Sequence, residues 1–123
     1  MLASSLKQAI GYKIVTRVNW TSFIESKKTE CYGFDNDLTD GFIHLSTRDQ
    51  IINTFNNKYR TTSTDKDQYN LLAIDLAHNP DIIKYERAKN GLLYPHLMGT
   101  INDKNLLWSL SLSHGLERVS ANF

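Results

Sequence analysis

Two short segments, "DGFIHLST" at 40–47 and "YPHLMG" at 94–99, each bring a histidine together with hydroxyl or phenol groups. Imidazole carries protons near neutral pH, and hydroxyls hydrogen-bond to ligand oxygens, so these are the residues with the means to do chemistry. Pleating of "GFIHLS" puts Phe42, His44 and Ser46 on one face and Ile43 and Leu45 on the other. Ile43 and Leu45 form the natural core pair, and His44 and Ser46 look to the opposite side. At Thr47 the chain enters a predicted helix, whose first N–H groups lack partners and attract anions. His44, Ser46 and Thr47 are therefore candidate ligand-binding residues. The structural alternative is that Thr47 only caps the helix and His44 only bonds a neighbouring carbonyl, with Asp40 and Asp49 supplying negative charge nearby.

His96 follows Pro95, which cannot donate to a ladder, so an edge strand or a bulge is expected, and a bulge can re-aim a side chain into a site. Tyr94 is a further candidate ligand-binding residue, with Glu86 and His96 as the candidate catalytic pair. Their alternatives are a solvated strand end for Glu86 and a core aromatic with its hydroxyl at the rim for Tyr94. His78 in "AHNP" and His114 in "SHG" stand at turn signals and are expected to be exposed. No histidines are spaced i,i+3 or i,i+4, and structural zinc draws on several cysteines, so no metal is expected. Cys31 is the only cysteine and reads as a partly buried small residue rather than a ligand or nucleophile.

The elements that must position these groups can be read from periodicity. "YKIV" at 12–15 and "GFIHLS" at 41–46 are strand-like, and "NLLAIDL" at 70–76 is so continuously apolar that a central strand covered on both faces is expected. "DIIKYER" at 81–87 follows the turn at Pro80 and is expected to pair beside it. "WSLSLS" at 108–113 alternates strictly, predicting that Trp108, Leu110 and Leu112 face the core. Two helices are expected. Asn19 caps one that carries Trp20, Phe23 and Ile24, and Thr47 with Gln50 forms a capping box before Ile51, Phe55 and Tyr59. Residues 26–40 and 61–68 read as long connections. The pattern predicts an α+β fold of about six strands in a split, mostly antiparallel sheet with two helices.

A chain of 123 residues makes one domain, 1–123, with its core over about 12–112. No run approaches the ~20 apolar residues of a spanning helix, so no membrane partner is expected, and the lone cysteine fits a cytoplasmic setting. A net charge of +1 without a basic stripe excludes duplex nucleic acid as a partner. A small ligand carrying phosphate needs only a few donors in one cleft, and a nucleotide-like small molecule is the expected partner.

"YKIV", Trp20, "DGFIHLST" with Gln50, "LLAIDL", "YER" and "LYPHLMGT", in that order, resemble the domain-of-unknown-function family nine-five-two. Where the family pattern has a Pro-His-Leu-Tyr-Gly run, this chain has Met98 in place of the tyrosine. That family is grouped with the ADP-ribosyltransferase-like fold, and "IHLST", a helix and "LLAIDL" are also similar to the RNA 2′-phosphotransferases. Members of the fold hold NAD in a cleft between two small sheets. The resemblance thus implies that His44, Ser46 and Thr47 face such a cleft and that NAD is the cofactor. The phosphotransferases also carry an arginine-histidine dyad near the start and an Arg-His-Gly motif after the helix. Here Arg17 has no histidine beside it, and the triplet at 113–115 lacks the arginine, so removal of an RNA 2′-phosphate is not implied. ADP-ribosyltransferases use a late-strand glutamate at the nicotinamide ribose, and Glu86 is its nearest counterpart. Three functions are compatible with this reading: an NAD-dependent transferase or glycohydrolase, a non-catalytic nucleotide-binding module, and an interaction domain whose histidines are structural.

Overall fold

The computed structural model describes residues 9–56 and 68–112. In chain order the elements are β1 (Ile10–Thr16), α1 (Arg17–Ser26), β2 (Glu30–Cys31), α2 (Asn36–Asp40), β3 (Ile43–His44), α3 (Arg48–Phe55), β4 (Tyr69–Asp75), β5 (Ile83–Arg87), β6 (Leu93–Leu97), β7 (Ile101–Asn102) and β8 (Leu106–Ser111). A 3₁₀ turn at Pro80–Ile82 precedes β5.

The strands form an antiparallel sheet β1–β4–β8, a second antiparallel sheet β3–β6–β5 and a short pair β2–β7. As its apolar run requires, β4 is central and covered on both faces: Leu71, Leu72, Ala73 and Ile74 are fully buried. On one side Leu71 and Ala73 pack with Tyr12, Ile14, Tyr69 and, from α3, Ile51 and Phe55. On the other, Leu72 and Ile74 pack with Val15, Trp20, Ile43, Leu45, Leu97 and Ile101, which brings α1 and the second sheet onto the first.

Among the described residues a single isolated bridge joins the two larger sheets. Leu45 N–H donates to the carbonyl of Pro95 at 3.0 Å, and one residue later Tyr12 and Ser46 exchange N–H···O bonds of 2.7 and 2.8 Å. The chain therefore leaves β6 at Leu45 and is taken up by β1 at Ser46. Pro95 has no N–H to return to Leu45, so the ladder on that flank ends there. The expected edge or bulge is not found: Pro95 lies in the middle strand, paired with Tyr85 in an unbroken register. It is tolerated because its missing donor falls where β3 peels away.

The expectation of about six strands and two helices becomes eight strands and three helices among the described residues. The additions are α2 and β2, both inside the expected connection at 26–40, and β7; two-residue strands are too short to show a period. β4 and β5 are not neighbours, since β5 pairs with β6 and the 3₁₀ turn redirects the chain. β8 is an edge strand on which Trp108 and Leu110 remain 39% and 43% exposed, and only Leu112 is buried. Alternation there does not mark a core face, because of the three only Leu112 is buried in the cluster that α3 shares with β1 and β4.

α1 starts earlier than expected: the Thr16 hydroxyl accepts the Asn19 N–H at 3.2 Å, so Thr16 is the cap and Asn19 lies in the first turn. Trp20 is buried and Ile24 is exposed. α3 begins directly after Thr47 as expected, and Gln50 Oε1 accepts the Thr47 N–H at 3.0 Å. Tyr59, most of the polar connection at 61–68 and His114 fall outside the described residues. Among the described residues no helix is long and apolar enough to cross a membrane.

Candidate functional site

The register of β3 against β6 places His44 directly opposite His96. Directly paired residues in an antiparallel ladder share a face. The two imidazole centroids lie 5.4 Å apart, edge to face. Phe42 completes the group, 4.6 Å from the His44 ring and stacked on His96 at 4.2 Å and 23°.

Each histidine is backed by carboxylate. His96 Nδ1 lies 2.8 Å from Glu86 Oε1, reached across the β5–β6 ladder, and its Nε2 has no hydrogen-bond partner among the described residues. His44 is held at both nitrogens, Nδ1 at 2.7 Å from Asp37 Oδ1 and Nε2 at 3.0 Å from Asp40 Oδ2. A singly protonated ring can donate to only one of these carboxylates, and a doubly protonated ring to both.

Asp37 lies beneath this pair and is only 2% exposed. Its Oδ1 also accepts the His44 backbone N–H at 3.0 Å, while Oδ2 accepts the Phe34 N–H at 3.0 Å and the Lys13 ammonium at 2.8 Å. Burial pushes the carboxyl up, but the charge and hydrogen bond of Lys13, the Phe34 N–H and His44 outweigh it and hold Asp37 below the usual carboxylate range. Lys13 also donates to the His44 carbonyl at 3.1 Å. The preceding turn makes room for this carboxylate. Gly33 has φ of +110°, and a Cβ there would stand 2.4 Å from the Asp37 Cβ.

These groups open on a cleft of about 770 Å³ between β1 and the second sheet, within the usual size range for small-molecule sites. His44, Ser46, Tyr94 and His96 all line it, together with Lys13 and Asp37. Ser46 Oγ lies 3.0 Å from Thr54 Oγ1, and the Tyr94 hydroxyl accepts from Asn90 Nδ2 at 2.8 Å. Glu86 stands behind His96 with its side chain 46% exposed and does not line the cleft. Thr47, expected to face the cleft, is not among its lining residues; it sits at the helix start, one residue past the Ser46 bridge. Cys31 is buried away from the cleft, and burial pushes its thiol up. His78 is exposed. Among the described residues no three His, Cys, Asp or Glu side chains converge to hold a metal ion.

Lys13 and Asp37 are the residues that sequence reasoning did not single out. Lys13 left a signal, a cation inside the apolar run "YKIV". Asp37 left none, because Asp35, Asp37 and Asp40 are alike until the turn at Gly33 chooses among them.

The fold and the site together define an α+β protein with a carboxylate-backed histidine pair on the wall of a cleft between two antiparallel sheets. The chain belongs to the family of proteins of unknown function DUF952, whose sequence pattern matches residues 14–109. Its fold is similar to the crystal structure of protein CC0527 from Caulobacter crescentus, with 27% identity over 84% of this chain and 85% of that one and a TM-score of 0.70. The solution NMR structure of CC0527 gives a TM-score of 0.68 at 27% identity, covering 85% of this chain and 84% of that one. No protein with a curated description matches the chain.

Proposed function

We propose that the cleft binds NAD or a related nucleotide with an ADP-ribose portion, and that Glu86 and His96 act at its ribosyl bond in transfer or hydrolysis. The observation that carries this is the His44–His96 pairing on the cleft wall, in which His96 alone keeps an open Nε2. With Nδ1–H donated to Glu86, the Nε2 lone pair takes the proton of a water or acceptor hydroxyl. The acceptor oxygen bonds to the anomeric carbon while the carbon–nitrogen bond breaks, and the electron pair leaves with neutral nicotinamide, which needs no acid. Glu86, behind the ring, favours the imidazolium that forms on His96 as the proton arrives. Tyr94 offers a ring for stacking, and Ser46 and His44 shape the wall. A cleft between two small sheets also supports the ADP-ribosyltransferase-like grouping implied by the motifs, and the lone thiol of Cys31 fits the cytoplasmic setting this reading assumes.

Calorimetry with NAD and ADP-ribose, combined with chromatographic detection of released nicotinamide, tests the proposal. His96→Ala is expected to bind NAD within about threefold of the wild type and to lose roughly 10²-fold or more in turnover. Absence of binding by either compound at millimolar concentration overturns it. The second reading, a binding module without turnover, is favoured by the internal satisfaction of His44 and Lys13, which leaves few groups for chemistry. Binding without nicotinamide release, in wild type and variant alike, selects that reading.

A further inference from the structure

We infer that Asp37 is the positioning residue of the cleft: it fixes the His44 ring in one tautomer and one orientation and, through His44 and Phe42, sets the ring of His96. The consequence for turnover rests on the function proposed above; the orientation itself does not.

Every partner of Asp37 is a donor. Oδ1 receives the backbone N–H and the Nδ1 of His44, and Oδ2 receives the Phe34 N–H and the Lys13 ammonium. An ionised carboxylate only accepts, so the proton shared with Asp37 belongs to Nδ1. The competing carboxylate, Asp40 at Nε2, is farther at 3.0 Å against 2.7 Å and 45% exposed, and in a singly protonated ring it loses to the buried Asp37. An amide of the same shape cannot replace it, because whichever way it turns its NH₂ meets an N–H of Phe34 or of His44. The carboxylate itself cannot yield, since it is held from behind by Lys13 and Phe34 and closed in at Gly33, where even a Cβ would be 2.4 Å away. The ring of His44 is the partner that must conform.

From His44 the constraint passes to His96. The His96 ring has three neighbours that set its plane: Glu86 at Nδ1, Phe42 stacked at 4.2 Å, and His44 edge-on at 5.4 Å. Phe42 touches both imidazoles, so a His44 ring that loses Asp37 and keeps only the exposed Asp40 turns toward it, gives up the edge contact and frees Phe42 to move. His96 then keeps only its exposed carboxylate partner, and the open Nε2 loses its fixed direction.

The test is ¹H–¹⁵N NMR of the imidazole nitrogens in the full chain at about pH 8, above the ordinary histidine range. In the wild type, His44 is expected to carry its proton at Nδ1; a His44 protonated only at Nε2, or averaging between tautomers, overturns the inference. Asp37→Asn is expected to remove the Nδ1–H signature of His44 and to shift the ring signals of His96. Lys13→Met breaks the ion pair and the bond to the His44 carbonyl but leaves the ring contact between His44 Nδ1 and Asp37, and is expected to keep that signature. Equal spectra in the two variants would mean that the ion pair, not the contact with His44, is what Asp37 supplies. Should Asp37→Asn fail to fold, the wild-type tautomer and the Lys13→Met spectrum still decide. For folded Asp37→Asn, nicotinamide release is expected to fall roughly 10²-fold in kcat with little change in KM, as misplacement of a reacting group by about 1 Å does. If the wild type releases no nicotinamide, only the proposed function falls, and the imidazole spectra still test Asp37.

Discussion

A buried carboxylate loses its water, and it is stable only if donors replace it at both oxygens. Asp37 has such donors, and they hold it below the usual carboxylate range despite the opposing effect of burial. A carboxyl depressed in the folded state stabilises the protein fully above its unfolded value, here near 3.8, and loses that contribution as pH falls through the folded value. Asp37→Asn also takes the counter-ion from Lys13, whose side chain is only 9% exposed and keeps just the His44 carbonyl, at a cost of about 3–5 kcal/mol. The melting temperature of Asp37→Asn is thus expected to lie well below the wild type from neutral pH down to about pH 4 and to converge on it with further acid, where the wild type also loses its anion. Thermal melts across this range check it; a gap that persists undiminished well below pH 4 contradicts the assignment. His44 and His96 reach the cleft by different routes: the first is engaged by carboxylates at both nitrogens, and the second keeps Nε2 without a partner among the described residues.

Helix starts and strand exits place these side chains. α1 is capped by Thr16, so Thr16→Ala is expected to lower stability by about 1 kcal/mol, whereas Asn19→Ala, which leaves the capped backbone N–H in place, should change it by a few tenths. Urea unfolding of the two variants separates them, and equal losses would contradict the cap. α3 is tied down by Gln50, whose Oε1 accepts the Thr47 N–H and whose Nε2 donates to the Leu93 carbonyl at 2.6 Å. One side chain thereby closes the helix start and fastens it to β6, the strand that carries Tyr94 and His96. Midway along β6, Pro95 stops the ladder with β3 and lets Ser46 pass to β1, which opens the cleft between the sheets.

Two apolar clusters, one on each face of β1 and β4, hold the molecule together. β4 is hydrogen-bonded on both edges and covered on both faces, so local opening cannot expose it. Its amides from Leu71 to Ile74 are expected to exchange with solvent most slowly, those of β8 faster, and those of the β5–β6 turn at 88–92 fastest, as hydrogen–deuterium exchange would show. Fast exchange in β4 would contradict the double-sided core. The second sheet is packed on one face, and its other face carries Glu86, Tyr94 and His96 on a supported but open surface.

Some of this was legible in the residues because it depends only on local geometry. Pleating alternates at every residue, so "GFIHLS" assigns Ile43 and Leu45 to the core and His44 and Ser46 to the other side, and all four are found so. Continuous apolarity likewise identifies β4 as a strand buried on both faces, and Thr47 with Gln50 marks the start of α3. Alternation says nothing about what lies above a strand, and so Trp108 and Leu110 of β8 stand exposed although their pattern matches a core face. A proline reports a missing donor but not which neighbour would have received it, and so Pro95 occupies a middle strand. The meeting of His44 with His96 is a matter of register between strands distant in the chain, and the choice of Asp37 over Asp35 and Asp40 as the buried anion depends on a positive φ at Gly33 and on Lys13 arriving from β1. Contacts of that kind come from packing between elements, for which no periodicity in one segment contains the information.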